Sequence, residues 1–357
     1  MKLIGTDAQE LTSIACDPKI DRYIAVVATN TEGNKETGFG SVDTCKAFYE
    51  ALMESYQRVT FHEVSTKASL DLVAGERPDL VVLCSKYLPA MGGFPKIWFS
   101  EYFAAHGIAF TGSDRETLEF DSNKSKAKTV LLNHGIATAK FFLAHPEQFQ
   151  SEDHLPLPFP LFIKPLDAAN GNGIDENSIV RDFENYQQKV AELFLAFGTK
   201  VLVEELLPGR EFTVAVWDNK NEATRMVMPL EIISPENCKG DRTLGCAAKK
   251  KNEEILELVE EPLLSEIRQL VGKAFSILGA QDFGRIDVKL NALGQPYFIE
   301  ANLVPGMTPD SSYFPRACIL YNTKSGMQND MPAITHFDVA RKIVELALNR
   351  AYPMPAV

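Results

Sequence analysis

The sequence predicts an α/β chain whose first third is a parallel sheet wrapped by helices, followed by mixed α+β regions. Three observations predict it. Apolar runs of strand length, "YIAVVAT" (23–29) and "DLVVLCS" (79–85), alternate with helical stretches, the pattern of strands covered on both faces. Beyond residue 160, short strands alternate with Gly- and Pro-marked bends. Finally, "RIDVKLNALGQPYFIEANLVPGMTP" (285–309) reads as two strands about a turn at 291–295. A length of 357 residues corresponds to two or three domains.

Taken in order, a helix is expected over 42–56, then the strand at 79–85. A further helix ends near His106 and Gly107, and "IAFTGS" supplies another strand. "DSNKSKAKTVLLNHG" (121–135) opens with capping residues, continues as a helix and stops at a glycine in the C′ position. "HPEQFQSEDHLPLPFP" is a Pro-rich surface connection, "LFIKP" (161–165) a strand, and "LDAANGNGI" a loop. Asp182 is the expected N-cap of a helix that runs to Phe197 and closes at Gly198. "KVLVEELLPGREFTVAVWD" reads as strand, bend at Pro208-Gly209, strand, whereas 235–253 has no period and reads as a long loop. Pro262 opens a helix with Ile267, Val271, Ala274 and Phe275 on one stripe, ended by Gly279. A last amphipathic helix covers 338–350.

Composition excludes several classes. With 48 acidic against 36 basic residues the net charge is −12, the opposite of the basic footprint that nucleic-acid binding needs. No run approaches eighteen uncharged apolar residues, and "MKLIGTDAQE" lacks the apolar core of an export signal. A cytoplasmic location with neither membrane nor nucleic-acid partners is therefore expected. The six cysteines (16, 45, 84, 238, 246 and 318) are scattered, consistent with reduced thiols. The histidines show no zinc spacing.

The hairpin carries the strongest chemical signal. Alternation puts Arg285, Asp287 and Lys289 on one face of its first strand, and Phe298, Glu300 and Asn302 on one face of the second. The natural register sets Asp287 opposite Glu300 and Arg285 opposite Asn302. Opposed carboxylates repel, so something positive must lie between them. Arg285 and Lys289 flank the acids without lying directly between them, and a hard divalent cation with oxygen ligands fits. A solvated polar face with a salt bridge is the other reading. Gly306, in a Pro-Gly turn beside this face, offers backbone N–H groups to an oxyanion. Upstream, Lys164 precedes a Gly/Asn loop suited to phosphates, although no Walker A motif occurs. Glu204, Glu205 and Glu211 lie on or beside strand ends, where solvated glutamates are an equally good reading.

It is the order Lys124, Lys164, glycine loop, Glu204–Glu211, Asp287/Glu300/Asn302 that is distinctive. That order resembles the ATP-grasp superfamily, and within it the D-alanine–D-alanine ligase group. "NKSKAKTVLLNHGI", "FPLFIKP", "VLVEELLPGREFTVAV" and the hairpin match in spacing, over about 107–315. The resemblance implies a Rossmann-like N-terminal domain (1–118), then a central (119–203) and a C-terminal (204–357) ATP-grasp subdomain. It implies ATP and two Mg²⁺ ions, with Mn²⁺ able to substitute, small-molecule carboxylate and amine substrates, and a homodimer. Lys124 and Lys164 would contact phosphates, with Asn170 in the phosphate loop. Glu204 and the backbone of Glu205 and Leu207 would hold adenine, and Glu211 the ribose. Asp287, Glu300 and Asn302 would ligate metal. Arg285 and the Gly306 amide would face the transferring phosphoryl group or tetrahedral intermediate, and Ser311 or Ser312 would reach substrate.

The pattern breaks on the acceptor side. The family's G-S-S-x-G loop is here residues 169–173, with Asn170 where a serine is used. Its substrate-orienting glutamate has no match, and Phe39 lies near that position. Its His-Gly is Ser85-Lys86, and its Y-x-x-x-K-Y segment is missing between Ile233 and Asn252. Lys239, Arg242 or one of Lys249, Lys250 and Lys251 is the candidate replacement for the lost lysine. The expected activity is thus an ATP-dependent carboxylate–amine ligase working through an acyl phosphate, on amino acids other than two D-alanines. A D-alanine–D-alanine ligase with a divergent substrate site and a non-catalytic ATP-binding regulatory protein are the alternatives.

Overall fold

The apolar run at 23–29 forms most of β1 (Ile20–Thr29), buried from Tyr23 onward. The computed structural model describes residues 18–30, 38–90, 95–167, 171–219, 224–234, 254–327 and 333–353. Helix α1 (Val42–Met53) starts where the Ser41 side chain accepts the Thr44 N–H. It stops three residues before the expected end, because Tyr56 opens a strand, β2 (Tyr56–Val64). Then come α2 (Lys67–Gly75), β3 (Leu80–Leu83), the short antiparallel pair β4 (Tyr87–Leu88) and β5 (Ile97–Trp98), α3 (Phe99–Ala105) and β6 (Ala109–Phe110). The main sheet is parallel, in the order β2-β1-β3-β6. Strand β2 escapes sequence reading because it is an edge: its middle is only half covered and carries Gln57, Arg58, His62 and Glu63 rather than an apolar run.

Two helices, α4 (Arg115–Ser122) and α5 (Lys124–Asn133), lead into a second sheet. It contains β7 (Phe141–Ala144), β8 (Leu161–Pro165), β9 (Ile179–Val180) and β10 (Val201–Glu205), antiparallel in the order β7-β10-β8-β9. Helix α6 (Phe183–Phe197) is capped by Asp182 and closed by Gly198 in the left-handed conformation, as expected. It lays Tyr186, Val190 and Leu193 against Ile163 and Val203, leaving the other face of β8 and β10 for polar side chains.

At Pro208-Gly209 the chain leaves this sheet for another. A Cβ at Gly209 would lie 2.6 Å from the Leu290 carbonyl oxygen, so only glycine permits the approach. The five-stranded antiparallel sheet comprises β11 (Glu211–Asn219), β12 (Thr224–Ile233), β13 (Ile255–Leu258), β14 (Asp282–Leu290) and β15 (Pro296–Asn302), in the order β13-β12-β11-β14-β15. Its helices are α7 (Leu263–Ile277), α8 (Tyr313–Met327) and α9 (His336–Ala351). Phe212, Val214, Ile286 and Val288 join Val271, Phe275, Ile343 and Val344 in the largest core, each such side chain contributing about 1.5–3 kcal/mol relative to exposure. Thr213 and Asp287 alternate onto the opposite, polar face. Helix α8 had no sequence signal, and α9 begins two residues earlier than expected, at the Thr335 capping box.

Cys45, Cys84 and Cys318 are buried free thiols. Among the described residues no helix is long and apolar enough to cross a membrane. The segment expected as a long loop, 235–253, and with it Lys239, Arg242 and Lys249–Lys251, lies outside the described residues, as does Asn170.

Candidate functional site

Strands β14 and β15 pair in the predicted register, Asp287 opposite Glu300 and Arg285 opposite Asn302. The register then slips: Val288 lies opposite Phe298, leaving Ile299 as the extra residue of a bulge. The expectation that Phe298 shares a face with Glu300 is corrected here. Phe298 is wholly buried in the apolar core, while Ile299 joins Glu300 in lining a cavity.

That cavity, about 590 Å³, is walled by Lys124, Lys164, Glu204, Glu211, Asp287 and Glu300, with Glu205, Leu206 and Leu207 along the chain that links the two antiparallel sheets. Its size is that of a small-molecule site. Gly171 and Asn172 also line it. At Gly173 the chain is left-handed, and a Cβ would lie 2.6 Å from the Pro165 ring, which explains the glycine.

Two buried lysines share one carboxylate. Glu204 lies 2.7 Å from the Lys128 ammonium and 2.9 Å from that of Lys164. Burial alone would raise the Glu204 carboxyl, but the two lysines outweigh it and hold it below its usual range. Burial pulls Lys128 down, only partly offset by Glu204. At Lys164 burial is outweighed by Glu204 and Glu300, and the ammonium is held above its usual range. The site thus keeps Lys164 charged. Lys128 went unnoticed in the sequence, yet a signal existed: it is four residues after Lys124, on a face shared with Ala127 and Leu131. It also donates to Thr138 Oγ1 at 2.7 Å, and Thr138 donates to the Phe298 carbonyl at 2.6 Å, so α5 is tied to β15.

The opposed acids are neutralised by the protein itself. Arg285 donates to both Asp287 oxygens, at 3.1 and 3.0 Å, and Thr213 donates a third bond at 3.0 Å. Asn302 Nδ2 lies 3.3 Å from Asp287 Oδ2, and the Lys124 ammonium 3.7 Å from Glu300. Arg285 flanks the acids, as expected, and contributes by gripping Asp287: a two-residue step along one strand face is short enough for its fork. Burial pulls the Arg285 guanidinium down, but Asp287 outweighs it and raises it. Asp287, Glu300 and Asn302 still present hard oxygen donors on one strand pair, a set chemically suited to Mg²⁺. Glu211 accepts from Lys289 at 3.0 Å. The Glu205 carboxylate accepts the Lys140 N–H at 2.9 Å, and the Glu205 N–H donates to the Lys140 carbonyl at 3.0 Å.

Arg285, Gly306, Ser311 and Ser312 stand outside the residues that wall the cavity. Ser312 Oγ accepts the Thr308 N–H at 3.0 Å and lies 2.8 Å from where a Gly306 Cβ would be. The Ser311 N–H donates to the Pro309 carbonyl at 2.8 Å. Phe39 is wholly buried against Phe48 and Phe283. Lys86 pairs with Asp121 at 2.9 Å, both buried, and the second Asp121 oxygen accepts from the Leu303 and Val304 N–H groups at 2.7 and 3.3 Å. This clamp fixes the chain directly after Asn302.

The fold is that of a D-alanine–D-alanine ligase. A crystal structure of that enzyme from Bacillus anthracis complexed with ATP superposes with a TM-score of 0.68 at 20% identity, covering 93% of this chain and 99% of that one. The family model for the D-ala D-ala ligase C-terminus matches residues 130–331, and the chain belongs to this family of ATP-grasp, C–N bond-forming ligases. It is similar to the D-alanine–D-alanine ligase of Methylacidiphilum infernorum, 28% identical over 84% of this chain and 91% of that enzyme. The enzyme of that name from Maridesulfovibrio salexigens is 28% identical over 76% and 85% of the two chains.

Proposed function

We propose that the protein is an ATP-dependent carboxylate–amine ligase joining amino-acid substrates other than two D-alanines. The observation that carries the reading is the convergence of Lys124, Lys164, Asp287 and Glu300 on one cavity of about 590 Å³. The finer part is supported by Phe39, a fully buried ring near the position of the family's substrate-orienting glutamate, and by Lys86, whose charge is committed to Asp121.

In this reading Lys124 and Lys164 hold phosphates, Glu205 and Leu207 offer backbone groups to adenine beside Glu204, and Glu211 takes the ribose. Asn170 belongs to the phosphate loop. Asp287, Glu300 and Asn302 would hold two Mg²⁺, which supply charge neutralisation to the transferring phosphoryl group; Mn²⁺ would fit the same donors. The substrate carboxylate oxygen bonds to the γ-phosphorus as the bond to ADP breaks. The amine then bonds to the acyl carbon, loses a proton, and phosphate leaves. Arg285 and the Gly306 N–H face the negative charge that develops, and most of the catalysis is positioning and electrostatics. Ser311 or Ser312 reaches substrate. The organisation proposed is an N-terminal domain over 1–118 and ATP-grasp subdomains over 119–203 and 204–357, acting in the cytoplasm as a homodimer.

The test is ADP release from Mg²⁺-ATP against a matrix of paired D- and L-amino acids. Release confined to one pair, with phosphate and an amide product, supports the reading and names the substrates. Release with D-alanine alone would make the protein a D-alanine–D-alanine ligase with a rebuilt substrate site. ATP binding with no release on any pair would favour a non-catalytic ATP-binding regulatory protein.

A further inference from the structure

We infer that Arg316, anchored by Glu254, is a subsite for a carboxylate of the amine substrate, an inference that rests on the ligase reading above. Arg316 lies in the first turn of α8 and its Nη1 donates to Glu254 at 3.1 Å. The two partners are unequal: the Glu254 side chain is 1% exposed, the Arg316 side chain 25%. A carboxylate buried so completely is weak evidence of stabilisation, because its desolvation offsets the attraction. What the pair does achieve is a guanidinium anchored at one of its donors, on a side chain that is not fully buried. A guanidinium carries five N–H donors in a rigid fork, and planar recognition of a carboxylate is what that geometry serves best. Glu254 engages the donor at Nη1, and the other donors of the fork are the part a ligand carboxylate can take.

The position is the second half of the argument. The β12–β13 register pairs Ile233 with Ile255, which sets Glu254 beside Ser234, and Ile232 and Ser234 line the cavity. Tyr313 packs against Ile232. The guanidinium carbons of Arg285 and Arg316 lie 5.7 and 6.0 Å from the centroid of that one ring. The Arg316 N–H donates to the Ser312 carbonyl at 3.3 Å, so Arg316 is one helical turn from the serine that touches Gly306. Arg316 thus stands beside the Arg285–Gly306 side of the site, where the amine must approach. Burial, with Glu254 adjacent, pushes the Tyr313 phenol up, so it remains a neutral spacer between two cations.

The experiment measures ADP release with the carboxylate donor fixed and the amine varied. Each amino acid is compared with its own α-carboxamide, and glutamate with glutamine, so that α and side-chain carboxylates are removed separately. In the unaltered protein, loss of the recognised carboxylate lowers kcat/KM by about 10- to 100-fold, the factor for one charged hydrogen-bonding partner. Arg316→Met raises KM for the carboxylate-bearing amine by that factor and erases the discrimination, with KM for ATP moving less than about twofold. Arg316→Lys, which keeps the charge and loses the fork, retains part of it. Because Arg316→Met strands a buried carboxylate, Arg316→Met/Glu254→Gln is measured beside it and shows the same loss. A double variant that discriminates as the unaltered protein does overturns the subsite. Turnover that never distinguishes acid from amide overturns it too, leaving the ligase reading intact. Silence of the unaltered protein on every pair overturns both.

Discussion

Two buried charge clusters in this chain are built from the same residue types and arranged differently. Around the cavity, Lys128 and Lys164 share Glu204, giving two cations to one acid, with Lys124 a few ångströms from Glu300. Away from the cavity lining, Lys86 and Asp121 form a buried pair, and Asp121 also accepts from the Leu303 and Val304 N–H groups. The first arrangement is a shared network, in which Lys164 is held by both Glu204 and Glu300 and cations and acids line one cavity. The second holds backbone. A shared network marks where a ligand can exchange partners with the protein, and a pair tied to backbone marks where the framework is fixed.

The largest expected effect tests the shared network. Glu300→Gln lowers ADP release by about 100-fold or more at unchanged thermal stability; near-normal turnover would break the assignment of the acids to the reaction. The pair tied to backbone is sharpened by Lys86→Met. Asp121 then keeps only its backbone partners, and chemical denaturation is expected to show a loss of about 3–5 kcal/mol. Lys86→Met/Asp121→Asn recovers part of it, and a double variant as unstable as the single one would count against the buried pair. Lys128→Met costs less, about 1.5–3 kcal/mol, since Lys164 still balances Glu204. If Lys128 proved more costly than Lys86, the contrast between the clusters would fail.

The smallest effect is one of pH. Burial holds His336 below the usual imidazole range, with Asp310 only partly offsetting it, and burial does the same to His62 against Glu76. The unfolded chain takes up these protons as pH falls through about 6.5, while the folded chain does not. Their stabilisation is therefore complete above that pH and is lost on acidification towards the depressed folded values. The carboxyls of Asp182 and Asp338 are also depressed, so their stabilisation is complete above about pH 4 and is lost only below it. The urea midpoint should fall between pH 8 and pH 5.5, and His336→Leu should flatten that decline.

Sequence legibility followed local physics. The helix from Asp182 to Gly198 was readable at both ends because cap chemistry is local, and the Asp287–Glu300 pairing because alternation fixes faces. Strand β2 was not, since an edge strand needs no apolar run. The bulge at Ile299 was invisible because slipping one residue leaves no compositional trace. Lys124, Lys164 and the hairpin acids were found because motif order survives. The partners of Lys128, Lys86 and Arg316 were not legible because they lie 76, 35 and 62 positions away; for Lys128 the four-residue spacing from Lys124 was the one available sign.

That bulge also sets how the gene can tolerate change in length. Residues 291–295 form an exposed turn whose single-residue insertions or deletions would disturb only the loop. Removing Ile299 would only erase the bulge: Phe298, opposite Val288, would stay on the core face, and Glu300, opposite Asp287, on the cavity face. Losing a residue from the regular part of β15 would instead turn every side chain on one side of the cut to the opposite face. Lineages of this protein should therefore accumulate indels at the tip of the hairpin, tolerate the loss of Ile299, and show almost none elsewhere in β15.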